Sequence, residues 1–197
     1  MDRAAETVLI DRCLAQIDTG TTTLSKELTP SPVDRYLCQE RFQREMTLIH
    51  RRLPVPYVHT SELPQPNTFR RVQTSVGDVL FTRDDSGAVH AFHNVCRHRG
   101  AGLVDAESGS ARRLVCPYHA WSYATDGELT AVPGEDPCFP DLEKDRLGLR
   151  AIPCTERFGF VWLCPDARDS VHAAERVERH LGAMAADIAW PVAPTRH

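Results

Sequence analysis

Cys96 and His98 stand two residues apart and Cys116 and His119 three apart, so two short segments of this 197-residue chain each offer one thiolate and one imidazole. The order of these ligands narrows the metal. A structural zinc site usually pairs Cys with Cys two to four residues apart and then His with His, so that four ligands converge on one ion. Here the order is Cys, His, Cys, His. Residues i and i+2 of an extended loop point the same way, so Cys96 and His98 reach two adjacent metal atoms more readily than they close on one. Two such loops can clamp a two-metal centre.

Thiolates on one iron and imidazoles on the other give the Rieske form of the 2Fe-2S cluster, and in this reading Cys96, His98, Cys116 and His119 are its ligands. Two ferric ions and two sulfides carry a double positive charge, which two thiolates cancel; four thiolates would leave a double negative charge. An electron enters the neutral centre more readily, and Rieske potentials accordingly lie at roughly −150 to +300 mV, against about −400 mV for all-Cys plant-type ferredoxins. The chemistry is electron transfer, not hydrolysis, and no catalytic residue is assigned.

Such loops need a frame. Between Phe69 and Pro165 short alternating runs are broken by turn residues, which predicts strands. Val79-Leu80-Phe81-Thr82 and Val89-His90-Ala91-Phe92 flank Asp84-Asp85-Ser86-Gly87; Trp121-Ser122-Tyr123 and Leu129-Thr130-Ala131 flank Thr125-Asp126-Gly127; 147–152 and 158–163 make a third pair. Helical spacing covers 3–17, with Val8, Leu9, Cys13, Leu14 and Ile17 on an amphipathic pattern. A second helix runs from Ser31-Pro32, as N-cap and first turn, through about Ile49. A third spans 172–188, with Ala173, Val177, Leu181 and Met184 on one side. The expectation is a mainly β fold of small antiparallel sheets with the ligand loops at its tip. An N-terminal helical extension (1–56) precedes the cluster domain (57–166), and a C-terminal helix and tail follow (167–197).

The net charge of −4 and the lack of a basic stripe argue against nucleic acid as a partner. No long apolar run suggests a signal peptide or a membrane span, so a cytoplasmic protein is expected. Seven cysteines is an odd count, and in a reducing compartment unpaired thiols are ordinary. Cys13, Cys38, Cys138, Cys154 and Cys164 read as small buried or surface thiols, with Cys154 and Cys164 placed to face each other across a hairpin. Arg97, Arg99, Arg112 and Arg113 beside the ligands read either as a positive rim that steers an acidic donor or as ordinary solvated arginines.

His93-Asn94-Val95-Cys96-Arg97-His98-Arg99-Gly100, followed by Cys116-Pro117-Tyr118-His119-Ala120-Trp121-Ser122-Tyr123, resembles the Rieske segment of ring-hydroxylating oxygenase large subunits. The resemblance extends from about Tyr36 through Asp166 and includes Ser61-Glu62-Leu63-Pro64 and Gly159-Phe160-Val161-Trp162. Respiratory-chain Rieske proteins are less similar. Their extra disulfide would fall at Ala101 and Tyr118, and their cluster-bonding serine at Trp121, although Tyr123 matches their tyrosine. Fewer donors to sulfur imply a potential in the lower half of the Rieske range. Ala120 stands where the family often has Gly, which costs about 1 kcal/mol if that residue needs a positive φ.

The resemblance implies electrons from an NAD(P)H-linked reductase, sometimes through a ferredoxin. They would pass to a mononuclear iron in a catalytic domain or an adjacent oxygenase subunit. That iron needs two His and a carboxylate, with two His spaced five apart in the family. Only His93 and His98 have that spacing, and His98 is committed; His172 and His180, with Asp169 near the first, read as solvated helix residues. The chain alone is expected to perform the relay and not oxygen activation, so its standing as an enzyme by itself is open. A stand-alone Rieske ferredoxin-like carrier and a structural zinc-binding interaction module are the other readings; ligand order disfavours the zinc module.

Overall fold

The computed structural model describes residues 2–24 and 27–192, and the chain forms two compact units, 1–42 and 43–197. In the first, α1 (Arg3–Asp18) is started by the Asp2 carboxylate, which accepts the Ala5 N–H at 2.8 Å, and ended at Gly20 in the left-handed region. Arg12 and Gln16 both bond the Thr23 hydroxyl at 2.7 Å, tying the chain after α1 back to it. No residue of α1 is buried, and Val8, Leu9, Leu14 and Ile17 lie exposed. The helix forms where its spacing predicts, but its apolar side is uncovered.

The single helix expected from Ser31 to Ile49 is interrupted. α2 (Asp34–Leu37) has Val33 as an N-cap without a side-chain bond, and Cys38 turns extended (ψ 110) before α3 (Gln39–Glu45) and a π turn over Met46–His50. Cys38 donates its N–H to the Asp34 carbonyl and accepts the Phe42 N–H, so one residue closes one helix and opens the next. No Gly or Pro marks the break, and periodicity alone runs through it.

Among the described residues the second unit holds ten strands in three antiparallel sheets. β2 (Thr68–Thr74), β3 (Gly77–Arg83), β4 (Val89–His93) and β5 (Ser108–Ser110) form one in the order β4-β3-β2-β5. β3 is buried on both faces: Val79 and Phe81 enter one core, while Leu80 enters the core beneath the ligand loops. The Thr82 hydroxyl donates to the Thr125 carbonyl at 2.6 Å, fixing this sheet to the next. That sheet contains β6 (Leu114–Val115), β7 (Ser122–Tyr123) and β8 (Leu129–Ala131). Gly127 at its turn is required, because a Cβ there would lie 2.5 Å from the Phe92 ring.

The third sheet has the order β1-β10-β9, from β1 (Val55–His59), β9 (Cys154–Arg157) and β10 (Phe160–Leu163). The expected partner of β10, 147–152, is therefore corrected to β9. Phe158 and Gly159 both take positive φ (53° and 76°), the geometry of a two-residue hairpin turn, which a bulky first residue does not announce. The 147–152 segment instead runs along β4 with a single bridge, Phe92 to Ala151, and Leu149 donates to the Gly127 carbonyl at 2.8 Å.

α4 (Glu135–Cys138) is a single turn, whereas α5 (Ser170–Leu181) is capped by Asp169 and packs Ala173 and Val177 against Trp162 and Cys164. Gly182 (φ 51°) separates α5 from α6 (Met184–Val192), so the one helix expected over 172–188 is two. Cys154 pairs with Leu163 and enters their shared core, while Cys164, one residue on, faces α5; the two thiols do not face each other. Burial pushes Cys154 up to about 12 and Cys164 up to about 11, which keeps both protonated and inert; Cys13, Cys38 and Cys138 are exposed. Among the described residues no helix is long and apolar enough to cross a membrane.

Candidate metal centre

Both ligand segments close into the same turn. Cys96 accepts the Gly100 N–H at 3.0 Å and donates its own N–H to Ala101 at 2.8 Å; Cys116 accepts from Ala120 at 3.0 Å and donates to Trp121 at 2.9 Å. Each turn requires a left-handed residue four positions after its cysteine, and these are Gly100 (φ 73°) and Ala120 (φ 57°). The positive φ at Ala120 makes its missing glycine a real strain. Ala120→Gly is expected to stabilise the protein by about 1 kcal/mol, read as a higher urea midpoint at unchanged slope.

The two turns bring the predicted ligand residues together as two pairs, Cys96 with Cys116 and His98 with His119. The Cys96 and Cys116 side chains are both buried, and burial, with Cys116 close beside it, pushes the Cys96 thiol up. The His98 and His119 rings meet edge-on, with centroids 4.7 Å apart and 66° between planes. Thiols thus form one pair and imidazoles another, and among the described residues no three His, Cys, Asp or Glu side chains converge as a single ion would require. The Nδ1 of His98 is buried without a protein partner, a state that is costly unless something electrophilic faces it. Burial, with the charges of His119 and Arg99 behind it, holds the His98 imidazole below its ordinary value, keeping it neutral as a metal ligand must be. Two buried thiols, two imidazoles and a buried nitrogen without a protein partner fit a two-iron cluster.

The surroundings are asymmetric. His98 stacks on Trp121 (4.7 Å, 6° between planes), and Phe139 meets both rings edge-on at 6.0 and 5.9 Å. His119 is exposed, with the exposed Tyr118 ring over it at 3.8 Å. Beneath the thiols, the Tyr123 hydroxyl accepts the Arg97 N–H at 3.0 Å and lies 3.4 Å from Cys96 Sγ. Since the amide can only donate, the phenolic proton is free to point at sulfur. Burial and the neighbouring thiol push Tyr123 upward, so it remains a donor.

Asn94 and Phe139 are structural parts of the site that residue type did not announce. Asn94 is buried and uses all four side-chain bonds: it donates to Asp78 (2.9 Å) and to the Val104 carbonyl (2.8 Å), and accepts from the Leu103 and Val104 amides (3.2 and 3.0 Å). It clasps the two ends of the first ligand loop.

Among the arginines beside the ligands, Arg99, Arg112 and Arg113 are exposed, whereas Arg97 has its Nε buried without a partner. His172 bonds the Asp169 carboxylate at 2.7 Å and contacts Arg168, so it is engaged at a helix start and not simply solvated; His180 is exposed.

The model of the Rieske [2Fe-2S] domain matches residues 54–153. The chain is 40% identical over 159 residues to the large oxygenase component of a 2,4-dinitrotoluene dioxygenase system from Burkholderia sp. (strain RASC), covering 80% of this chain and 33% of that one. It is 39% identical over 158 residues to the large oxygenase component of a naphthalene 1,2-dioxygenase system from Ralstonia sp, covering 79% and 33%. Among solved structures, naphthalene 1,2-dioxygenase with indole bound superposes with a TM-score of 0.66 at 34% identity, over 74% of this chain and 32% of that one. The quaternary ammonium Rieske monooxygenase CntA with L-carnitine gives 0.70 at 28% identity, over 81% and 44%. The chain spans about a third of the length of the curated relatives it matches.

Proposed function

This chain belongs to the Rieske [2Fe-2S] domain family, and from that premise we propose that Cys96 and Cys116 hold one iron of the cluster, His98 and His119 hold the other, and the chain is the electron-relaying portion of a ring-hydroxylating oxygenase. The pairing of two buried thiols and of two edge-on imidazoles, with His98 Nδ1 buried and without a protein partner, carries this reading. When bound, the cluster supplies one-electron transfer. The protein's own residues set its conditions. Trp121 and Phe139 shield His98 from water, Tyr123 offers a hydrogen bond to sulfur, and exposed His119 presents a ring edge to a partner. Electrons come from an NAD(P)H-linked reductase, directly or through a ferredoxin. They leave for a mononuclear iron in a catalytic domain or adjacent oxygenase subunit.

Iron and acid-labile sulfide assays with electron paramagnetic resonance test the ligand set: about two irons and two sulfides per chain are expected, and both are lost in Cys96→Ser. One zinc and no sulfide would overturn it. Redox titration should place the potential below about +75 mV, the middle of the Rieske range. Tyr123→Phe should keep the cluster and lower that potential by roughly 50 mV, the equivalent of about 1 kcal/mol for one electron and one lost hydrogen bond. An unchanged value would mean that the phenolic proton does not point at sulfur.

A further inference from the structure

The segment after β8 reaches back to His98. It runs from Gly134, in the left-handed region (φ 68°), to Gly148, where a Cβ would lie 3.1 Å from the Gly127 carbonyl oxygen. The amides of Cys138, Phe139, Leu142, Lys144, Arg146 and Leu147 all donate to carbonyls inside this strap, so those bonds fix its shape and not its place. Side chains set its place: Phe139, Leu142 and Leu147 pack on the core beneath the ligand loops. Glu135 Oε2 and Lys144 Nζ, 3.1 Å apart, close the neck, which gives the build of an Ω-loop. Phe139 lies between these two residues in sequence and is the part that touches the site. It meets the His98 and Trp121 rings edge-on at 6.0 and 5.9 Å, while Trp121 stacks on His98 at 4.7 Å. The Glu135 and Lys144 side chains are 32% and 36% exposed, so their attraction is small and screened by salt. A closure of that strength suits a unit that opens.

We propose that 134–147 is a lid latched by Glu135 and Lys144, and that the closed lid, through Phe139, keeps the His98 ring from turning away from the site and keeps water from reaching it. Phe139 is a positioning residue in this scheme, and the ion pair acts through it. The lid rests on the assignment of His98 as an iron ligand and adds to it a salt-sensitive control of access to the cluster.

Release of iron from the cluster-loaded protein to excess EDTA, followed as loss of visible absorbance, tests it. Iron held by both imidazoles leaves only when both let go, and His119 is already exposed, so the rate reports the freedom of His98. Wild-type release should quicken about threefold between salt of about 20 mM and about 300 mM. At low salt Glu135→Gln and Lys144→Gln should each quicken it about threefold and the double variant no further, and all three should lose the salt response. Glu143→Gln, which breaks the exposed pair with Arg146 in the same strap, should match wild type. Phe139→Leu should stay within about twofold of wild type and Phe139→Ala should release about tenfold faster; if Phe139→Ala holds no cluster, the Glu135 and Lys144 variants decide. In D2O the deuterium modulation of the reduced cluster, read by pulsed electron paramagnetic resonance, should deepen in every variant that speeds release, which a loss of stability alone does not produce. Additive effects in the double variant, equal effects of Glu135→Gln and Glu143→Gln, or faster release at unchanged deuterium depth would overturn the lid. Iron and sulfide content of the wild type reports separately on the ligand reading: about two of each with a flat salt response sinks the lid alone, whereas their absence sinks both.

Discussion

Asn94→Ala is expected to destabilise the protein by on the order of 4 kcal/mol and to empty the cluster site, the largest effect of any substitution outside the ligands. The side chain is buried, and its removal leaves the amides of Leu103 and Val104 and the carbonyl of Val104 without that partner, while Asp78 keeps its bond from Arg71. Each buried polar group so orphaned costs about 1–3 kcal/mol, and water entering the gap recovers part of the sum. The loss falls on the first ligand loop, because Asn94 lies just before Cys96 while Leu103 and Val104 lie just after the turn that Gly100 and Ala101 close. Asn94→Asp separates geometry from bonding. It keeps the two accepted bonds but sets a second carboxylate against Asp78, so it should be nearly as damaging at neutral pH. Urea unfolding with iron analysis measures both variants; stability within about 0.5 kcal/mol of wild type would show that the loop is held by other contacts.

Why this residue is silent in the sequence, while the proposed ligands are not, follows from the range of the interactions. Cys96, His98, Cys116 and His119 stand out as the proposed ligands because metal ligation depends on residue type and close spacing. The hairpins joining β3 to β4 and β7 to β8 declare themselves through Asp, Ser and Gly at their turns. The β9–β10 hairpin does not, because Phe158 takes a conformation that its side chain disfavours and that only the surrounding sheet can impose. Cys38 interrupts a helix by the path of the backbone and not by its own chemistry. Asn94 and Phe139 act through partners remote in sequence, Asp78 and His98 among them, and an asparagine or phenylalanine in a loop has many ordinary roles. Arg97 belongs with these. Sequence groups it with Arg99, Arg112 and Arg113, and only burial of its Nε sets it apart.

His119→Cys puts the charge argument for the ligand set to its most direct test. Exchanging both imidazoles for thiolates separates Rieske from plant-type potentials by roughly 250 to 700 mV, so a single exchange should lower the potential by about 200 mV. His119 is the better position for it. It is exposed and lies outside the stacked wall that Trp121 and Phe139 build against His98, so a smaller side chain there keeps that wall and gives up only the ring contacts to Tyr118 and His98. His98→Cys would remove the ring that Trp121 stacks on and so mix a packing loss with the change of ligand. The expected product keeps iron and sulfide, shows an altered paramagnetic spectrum and is reduced only by stronger donors. A potential unchanged within about 30 mV, a shift of only about 0.7 kcal/mol for one electron, would mean that His119 does not ligate iron. The same shift bears on function. A relay must lie between donor and acceptor in potential, and a centre moved down by about 200 mV would accept electrons from a reductase far less readily while still passing them onward. Slower reduction with unimpaired reoxidation by ferricyanide is the kinetic form of that result.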